Sequence, residues 1–131
     1  MKNKIPEGLV GRKVEATVCR VALNKWTRNA EVTVEIEGDD GEVFEMQDTV
    51  FAQSDYATNI KKMQIYGELF NDDYRDARRF CKHLTDNVDF EKYEYKLVVE
   101  LKVSKKGAKY FVVDDFRRLD NVGKPDLANI A

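Results

Sequence analysis

Few residues in this chain of 131 have the types and spacing that enzymes use. His83 is the only histidine, and Cys81-Lys82-His83 has no second Cys or His pair at the spacing of a zinc site. Asp114 and Asp115 could be imagined as a Mg²⁺ pair, but neighbours on a strand point to opposite faces. The sequence also lacks phosphate-binding glycine loops, nucleophile elbows and HExxH helices. We therefore predict no catalysis, no metal and no cofactor.

Two polar segments combine cations with aromatic rings. Residues 24–29 and 104–109 each lie between runs of alternating apolar residues, as turns do. Lysine and arginine attract phosphates with release of counterions, and an unpaired base that stacks on a flat ring gains ~1 to 3 kcal/mol. Single-stranded nucleic acid uses both groups together, whereas a duplex hides its base faces. The residues are Lys25, Trp26 and Arg28 in the first segment and Lys105, Lys106, Lys109 and the adjoining Tyr110 in the second.

Charge is unevenly distributed along the chain. Residues 1–30 hold seven basic and two acidic side chains, whereas residues 31–55 hold nine acidic side chains and none that is basic. The formal net charge is −2, which argues against a general polycation that coats nucleic acid. A basic stripe on one face is compatible with this total, and its existence depends on the fold.

The first half of the chain has the pattern of a β-meander. Apolar residues alternate from Val14 to Val18 and the alternation then shifts by one position, which predicts a bulge or a sharp bend. A second strand is expected at 30–37. Gly38-Asp39-Asp40-Gly41 predicts a hairpin turn, since these residue types tolerate positive φ, and a third strand follows near 42–51.

The second half begins with helices and ends with a hairpin. From about Tyr56 to Phe70 the apolar residues recur every three or four positions, which predicts a helix. A second helical pattern follows Asn71, a residue type common at N-caps. Residues 95–103 and 110–116 then alternate as two paired strands.

One domain accounts for the chain. A chain of 131 residues can bury roughly two-thirds of its unfolded surface in a single core. We predict a domain over residues 1–118 with a helical insert at about 56–84, followed by a flexible C-terminal tail over 119–131. Cys19 and Cys81 are expected to be reduced and buried. Without a hydrophobic signal core or an apolar run of membrane length, the protein is expected to be cytoplasmic.

The order of these elements, β-β-β-α-β-β, with a bent first strand, resembles the oligonucleotide-binding (OB) fold. The resemblance covers about residues 9–118 and implies a mostly β domain with a helical insert, built as a five-stranded OB-like barrel. It also implies that the first strand pairs with the fourth, and that the loops joining strands one to two and four to five flank a ligand groove. The acidic pair Asp39-Asp40 is then expected far from that groove.

In size and element order the chain is similar to the compact OB-fold single-stranded-DNA-binding proteins of bacteriophages and mobile elements. The implied function is non-enzymatic binding of single-stranded DNA in replication or recombination, without membrane association. RNA, a second copy of the chain, and replication or recombination proteins stay open as further partners. The acidic, Phe-ending tail of bacterial single-stranded-DNA-binding proteins is missing from residues 126–131, so recruitment of partners through such a tail is not implied. The implied binding residues are Arg12, Lys13, Arg20, Lys25, Trp26, Arg28, Lys102, Lys105, Lys106, Lys109 and Tyr110.

Other interpretations stay open beside this one. Trp26 can cover the end of a barrel, and lysine-rich turns commonly protect sheet edges and solubilise proteins. Tyr110 and Phe111 point to opposite faces of one strand, so one of the two rings is expected in the core. In a rival of a different class, the acidic hairpin at 31–48 mimics the charge of nucleic acid or docks on a basic partner. The basic cluster of the second helix favours a solvated face over a second phosphate patch; it comprises Arg75, Arg78, Arg79 and Lys82.

Overall fold

A five-stranded antiparallel sheet forms the framework of the protein. The computed structural model describes residues 7–53, 56–70 and 77–120. The strands are β1 (Lys13–Leu23), β2 (Ala30–Glu37), β3 (Val43–Val50), β4 (Tyr93–Val103) and β5 (Lys109–Asp120). Their spatial order is β3-β2-β1-β4-β5, and each strand is antiparallel to its neighbours. The prediction of a mostly β protein with five strands is confirmed, as is the pairing of the first strand with the fourth.

Two helices lie between β3 and β4 in the chain. They are α1 (Ala57–Phe70) and α2 (Ala77–Asn87), and a short 3-10 helix at Glu7–Leu9 precedes β1. The two helices confirm the second helical pattern of the sequence, and each buries an apolar stripe of its own. The order along the chain is thus β-β-β-α-α-β-β, which differs from the expected β-β-β-α-β-β by one additional helix. The N-cap predicted at Asn71 lies outside the described residues. Within the described part of the chain, no helix has the length and apolar character needed to cross a membrane.

Both helices pack against the inner face of the sheet. The inward-pointing residues of β2, from Ala30 to Ile36, are fully buried, as the alternation of this strand predicts. The ring of Phe70 on α1 meets Tyr95 of β4 edge-on, with ring centroids 4.8 Å apart. Such aromatic pairs contribute about 0.5 to 1.5 kcal/mol beyond the burial of their area. The core therefore holds α1 firmly against the sheet.

A β-bulge interrupts β1 where the apolar alternation shifts. The pairing with β2 changes register between Val18 and Arg20, which confirms the predicted bulge. The shift leaves Cys19 on the exposed side of the strand, so the prediction that this thiol is buried is wrong. Cys81 is buried as expected and donates a hydrogen bond to the carbonyl of Val50, with 3.2 Å between sulfur and oxygen.

Strand β5 resolves which of two neighbouring rings enters the core. Phe111 is 5% exposed, whereas Tyr110 is 44% exposed. Further along, a register shift against β4 leaves Asp114 as the extra residue of a second bulge. The strand continues to Asp120, and residues 121–131 of the predicted tail lie outside the described residues.

The sheet is open between its two edge strands, β3 and β5. Both run in the direction of β1, and their Cα atoms approach within 8 Å of one another, so the sheet curls. In the described strand pairings, however, no hydrogen-bonded ladder joins β3 to β5. Helix α1 contacts both edges and lies against the gap between them. The closed barrel expected from the sequence is thus not observed: a curled, open sheet with a helix at its seam takes its place.

Candidate nucleic-acid interface

The turn between β1 and β2, residues 24–29, is held rigidly by its own side chains; we call it the Trp26 turn. The side-chain oxygen of Asn24 accepts hydrogen bonds from the backbone N–H groups of Trp26 and Thr27, at 2.9 and 3.0 Å. The backbone of Asn24 is also bonded to that of Arg28 and of Asn29. Arg28 adopts a positive φ of 67° to close the turn. An asparagine that bonds the backbone two and three residues on is a common device for fixing a turn.

Trp26 projects from this turn into solvent. Its exposed fraction is 92%, so it does not cover an end of the sheet, and that interpretation of the residue is wrong. Lys25 and Arg28 beside it are exposed, and neither forms an ion pair with any residue that the structure describes. A large ring and two unneutralised cations therefore share one exposed turn.

A second exposed ring adjoins the Trp26 turn at the entry to α1. The side-chain oxygen of Asn29 accepts a hydrogen bond from the backbone N–H of Ala52 at 2.9 Å, which ties the turn to the chain before α1. The amide of buried Asn59 bonds both the N–H and the carbonyl of Phe51, at 2.8 and 2.9 Å. The ring of Phe51 is 46% exposed, and the ammonium of Lys62 lies 6.0 Å from its centroid. Sequence reasoning missed Phe51 and Lys62; the only available signal was a polar Asn59 on the apolar side of a predicted helix.

The second basic turn lies at the opposite end of β1. Lys13 at the start of β1 faces Glu100 near the end of β4, so the turn that carries Lys105 and Lys106 lies beyond the start of β1. The Trp26 turn follows the other end of the same strand. The two basic segments therefore lie at opposite ends of β1, because antiparallel pairing of β1 and β4 puts their loops at different ends.

The acidic β2–β3 turn also lies at the start of β1. Asp39 forms an ion pair with Arg12 at 2.8 Å, and this contact lowers the pKa of the Asp39 carboxyl and raises that of the Arg12 guanidinium. The expectation that this turn is remote from both basic segments is thus wrong for the lysine turn. Residues Lys105 and Lys106 share their end of the sheet with carboxylates.

Several other predicted binding residues have local partners. Lys13 pairs with Asp114 at 3.0 Å, which raises the pKa of the lysine. Lys102 faces Tyr110 across the β4–β5 ladder, and Lys109 faces Val103. Arg20 lies in the bulge of β1, beside an acidic surface. Of the predicted set, Lys25, Trp26 and Arg28 share the Trp26 turn, whereas Lys105 and Lys106 share the β4–β5 turn.

The outer face of β2 and β3 is acidic. Glu35 lies directly opposite Glu45 in the β2–β3 ladder. The carboxylates of both residues and the thiol of Cys19 lie within 4.8 Å of one another. Among the residues that the structure describes, this is the one group of three side chains whose donor atoms could hold a metal ion. Although the residue lies on the exposed side of the strand, partial desolvation of its sulfur, followed by the charges of Glu35 and Glu45, raises the pKa of the Cys19 thiol. The sequence could not reveal this cluster, because the bulge of β1 brings the thiol to this face.

A cavity of about 340 Å³ lies at the open seam, between β3, β5 and α1. Its lining includes Tyr110 and Val112 from β5 and Ile65 from α1. Two lysines of α1, Lys61 and Lys62, also line it. Tyr110, which is predicted to bind nucleic acid, therefore lines a cavity together with residues of α1. The order of elements in the sequence did not indicate this position.

No family model, curated protein or solved structure matches the chain. Two features stand out, the rigid Trp26 turn and the cavity at the seam. The segment around Phe51 joins them.

Proposed function

We propose that this protein binds single-stranded DNA without catalysing a reaction, and that Trp26 stacks on an unpaired base. The observation that carries the proposal is the 92% exposure of this ring on a turn fixed by Asn24. Tryptophan is highly buried on average, and where it is found at the surface it is enriched at binding interfaces. The sheet is proposed to be an OB-like framework left open at the β3–β5 seam.

The cations of the Trp26 turn complement the ring. Lys25 and Arg28 carry positive charges that no described carboxylate neutralises, so they are available to phosphates. Each phosphate contact releases counterions, and each stacked base contributes about 1 to 3 kcal/mol. The rigidity of the turn means that little conformational freedom is lost on binding. Stacking requires an open base face, which a duplex does not offer.

Such an activity fits a role in replication or recombination in the cytoplasm of a phage-infected cell. RNA, a second copy of the chain, and replication or recombination proteins are further candidate partners. These assignments are proposals that extend the resemblance to compact OB-fold single-stranded-DNA-binding proteins.

A mobility-shift titration tests the proposed function. We expect a 30-nucleotide oligo-thymidine to bind at least tenfold more tightly than the matching duplex, a difference of about 1.4 kcal/mol. An RNA strand of the same length, titrated in parallel, measures whether the protein distinguishes DNA from RNA. Equal affinity for duplex and single strand, or no binding of either at low salt, would reject the proposal.

The acidic face of the β2–β3 hairpin supports a second candidate, docking on a basic protein. The observation that favours this candidate is that Glu35 lies directly opposite Glu45 in the β2–β3 ladder. Like charges in this position destabilise a sheet, so a bound partner with positive charges would relieve the repulsion. This candidate predicts a protein partner and no binding of DNA, and replacement of both glutamates by glutamine would abolish the protein complex, whereas Trp26→Ala would leave it intact.

A further inference from the structure

We propose that the cavity at the β3–β5 seam holds a second base of the bound strand, with Lys61 contacting the neighbouring phosphate. The inference rests on the proposed function and deepens it, because it names another contact of the same strand. The cavity volume of about 340 Å³ is near the lower end of the range for small-molecule sites, roughly 300 to 1,000 Å³. A single nucleotide unit is an occupant of suitable size.

The walls of the cavity suit a flat ring with a polar edge. Tyr110 is 44% exposed and Val112 is 37% exposed, so both present apolar surface at the cavity without being part of the core. Ile65 of α1 adds to this apolar surface. Gln47 on β3 also lines the cavity, and its amide can both donate to and accept from the edge of a base. Stacking and edge recognition are thus available in one place.

The charges around the cavity favour an anionic ligand. Lys62 is neutralised by Asp48, with 2.7 Å between nitrogen and oxygen, and it donates a further bond to the carbonyl of Thr49. Asp48 also accepts a bond from the hydroxyl of buried Tyr66 at 2.8 Å, so its negative charge is fully engaged. Lys61 is exposed and forms no ion pair within the described ranges 7–53, 56–70 and 77–120. The cavity therefore carries one unneutralised positive charge, as a phosphate contact requires.

A chain of contacts joins the cavity to the Trp26 turn. Lys62 lines the cavity and reaches the exposed ring of Phe51. The next residue, Ala52, is bonded to Asn29 at the end of the turn. In the proposed complex, the strand stacks on Trp26, passes over the exposed ring of Phe51 and places its next base in the cavity. These contacts favour a base of the strand over an unrelated metabolite as the occupant.

Photocrosslinking tests the inference. An oligo-thymidine of 30 nucleotides with 5-iododeoxyuridine substituted throughout is irradiated on the unmodified protein, and the crosslinked peptides are identified by mass spectrometry. We expect crosslinks to both Trp26 and Tyr110. In a parallel titration, Tyr110→Ala is expected to lower the affinity for the oligonucleotide roughly fivefold or more. Lys61→Gln is expected to reduce the slope of log K against log salt by about 0.7.

Matched controls separate these effects from changes in folding or net charge. Val103→Ala removes a similarly exposed side chain from the adjoining strand, and Lys82→Gln on the exposed side of α2 changes the net charge by the same amount as Lys61→Gln. Neither residue lines the cavity, so both variants are expected to bind like the parent protein. Because residue 61 is exposed, its substitution keeps the test valid even where Tyr110→Ala lowers the melting temperature.

The possible failures are distinguishable. If the strand binds and crosslinks to Trp26 alone, and the Tyr110 and Lys61 variants bind like the parent, the second base site is overturned while the proposed function stands. If no single strand binds the parent protein, both are overturned. Binding of free thymidine monophosphate in the cavity without any oligonucleotide binding would also overturn the inference, since the occupant would then be a small molecule.

Discussion

Asn59 and Phe51 are joined by two hydrogen bonds, in which the asparagine amide accepts from the N–H of Phe51 and donates to its carbonyl. Asn59 is 2% exposed and is the buried polar side chain that fixes the corner between β3 and α1. The corner in turn supports Ala52, which bonds to the Trp26 turn. Two parts of the candidate interface therefore depend on one buried amide.

Replacement of this amide should destabilise the protein. Asn59→Ala leaves the N–H and the carbonyl of Phe51 without their side-chain partner, and each unsatisfied buried group costs about 1 to 3 kcal/mol. We expect a loss of about 2 to 4 kcal/mol in the free energy of unfolding, measured by urea denaturation. Gln64→Ala on the exposed side of the same helix should stay within about 0.5 kcal/mol of the parent. Equal stability of the two variants would show that the amide is dispensable.

Much of the fold could be predicted because local patterns determine it. The shift of alternation after Val18 required an extra residue, and the bulge lies there. The alternation of β2 required one buried face, and the turn at Gly41 adopts the positive φ of 83° that its sequence favours. Such features depend on residues close together in the chain.

The relation between distant turns could not be read from local patterns. The ion pair of Arg12 with Asp39 and that of Lys13 with Asp114 join residues that are far apart in the chain, and they depend on strand register. The same register separates the lysine turn from Trp26. The cavity beside Tyr110 depends on how α1 meets two edge strands, for which the sequence offers no signal.

Charge reversal should distinguish the two ends of the sheet. We expect the double substitution Lys25→Glu with Arg28→Glu to lower the affinity for oligo-thymidine by at least tenfold, because these cations flank Trp26. Lys105→Glu with Lys106→Glu changes the net charge equally but acts at the other end of β1, so we expect a smaller effect. Both are measured by fluorescence anisotropy at one salt concentration, since affinity depends on salt. The opposite ranking would move the interface to the β4–β5 turn.

Relief of repulsion on the acidic face should stabilise the protein. Glu45→Gln removes the like charge directly opposite Glu35, and such cross-strand contacts are worth about 0.2 to 1 kcal/mol. We expect an increase of that size in the free energy of unfolding at low salt, and a smaller increase at high salt because ions screen the repulsion. A decrease in stability would indicate that the carboxylate makes a favourable contact instead.

Stability should fall at alkaline pH. Burial raises the pKa of the Cys81 thiol and of the Tyr66 phenol, and it also raises that of Tyr95. The unfolded chain then loses these protons at lower pH than the folded protein does, so the free energy of unfolding decreases as the pH rises above about 9. Urea denaturation at pH 7 and above should show this, and Cys81→Ala should reduce the decrease just above pH 9. A stability that stays constant up to pH 11 would contradict the burial of these groups.

The emission of Trp26 offers the most direct test of the whole account, because it is the only tryptophan in the chain. Titration with oligo-thymidine should quench the emission to saturation, whereas duplex DNA at the same concentration should change it little. Trp26→Ala should reduce the free energy of binding to the strand by about 1 to 3 kcal/mol. Because the ring is 92% exposed, the same substitution should leave the melting temperature unchanged. A folded Trp26→Ala protein that binds oligo-thymidine with full affinity would contradict the account.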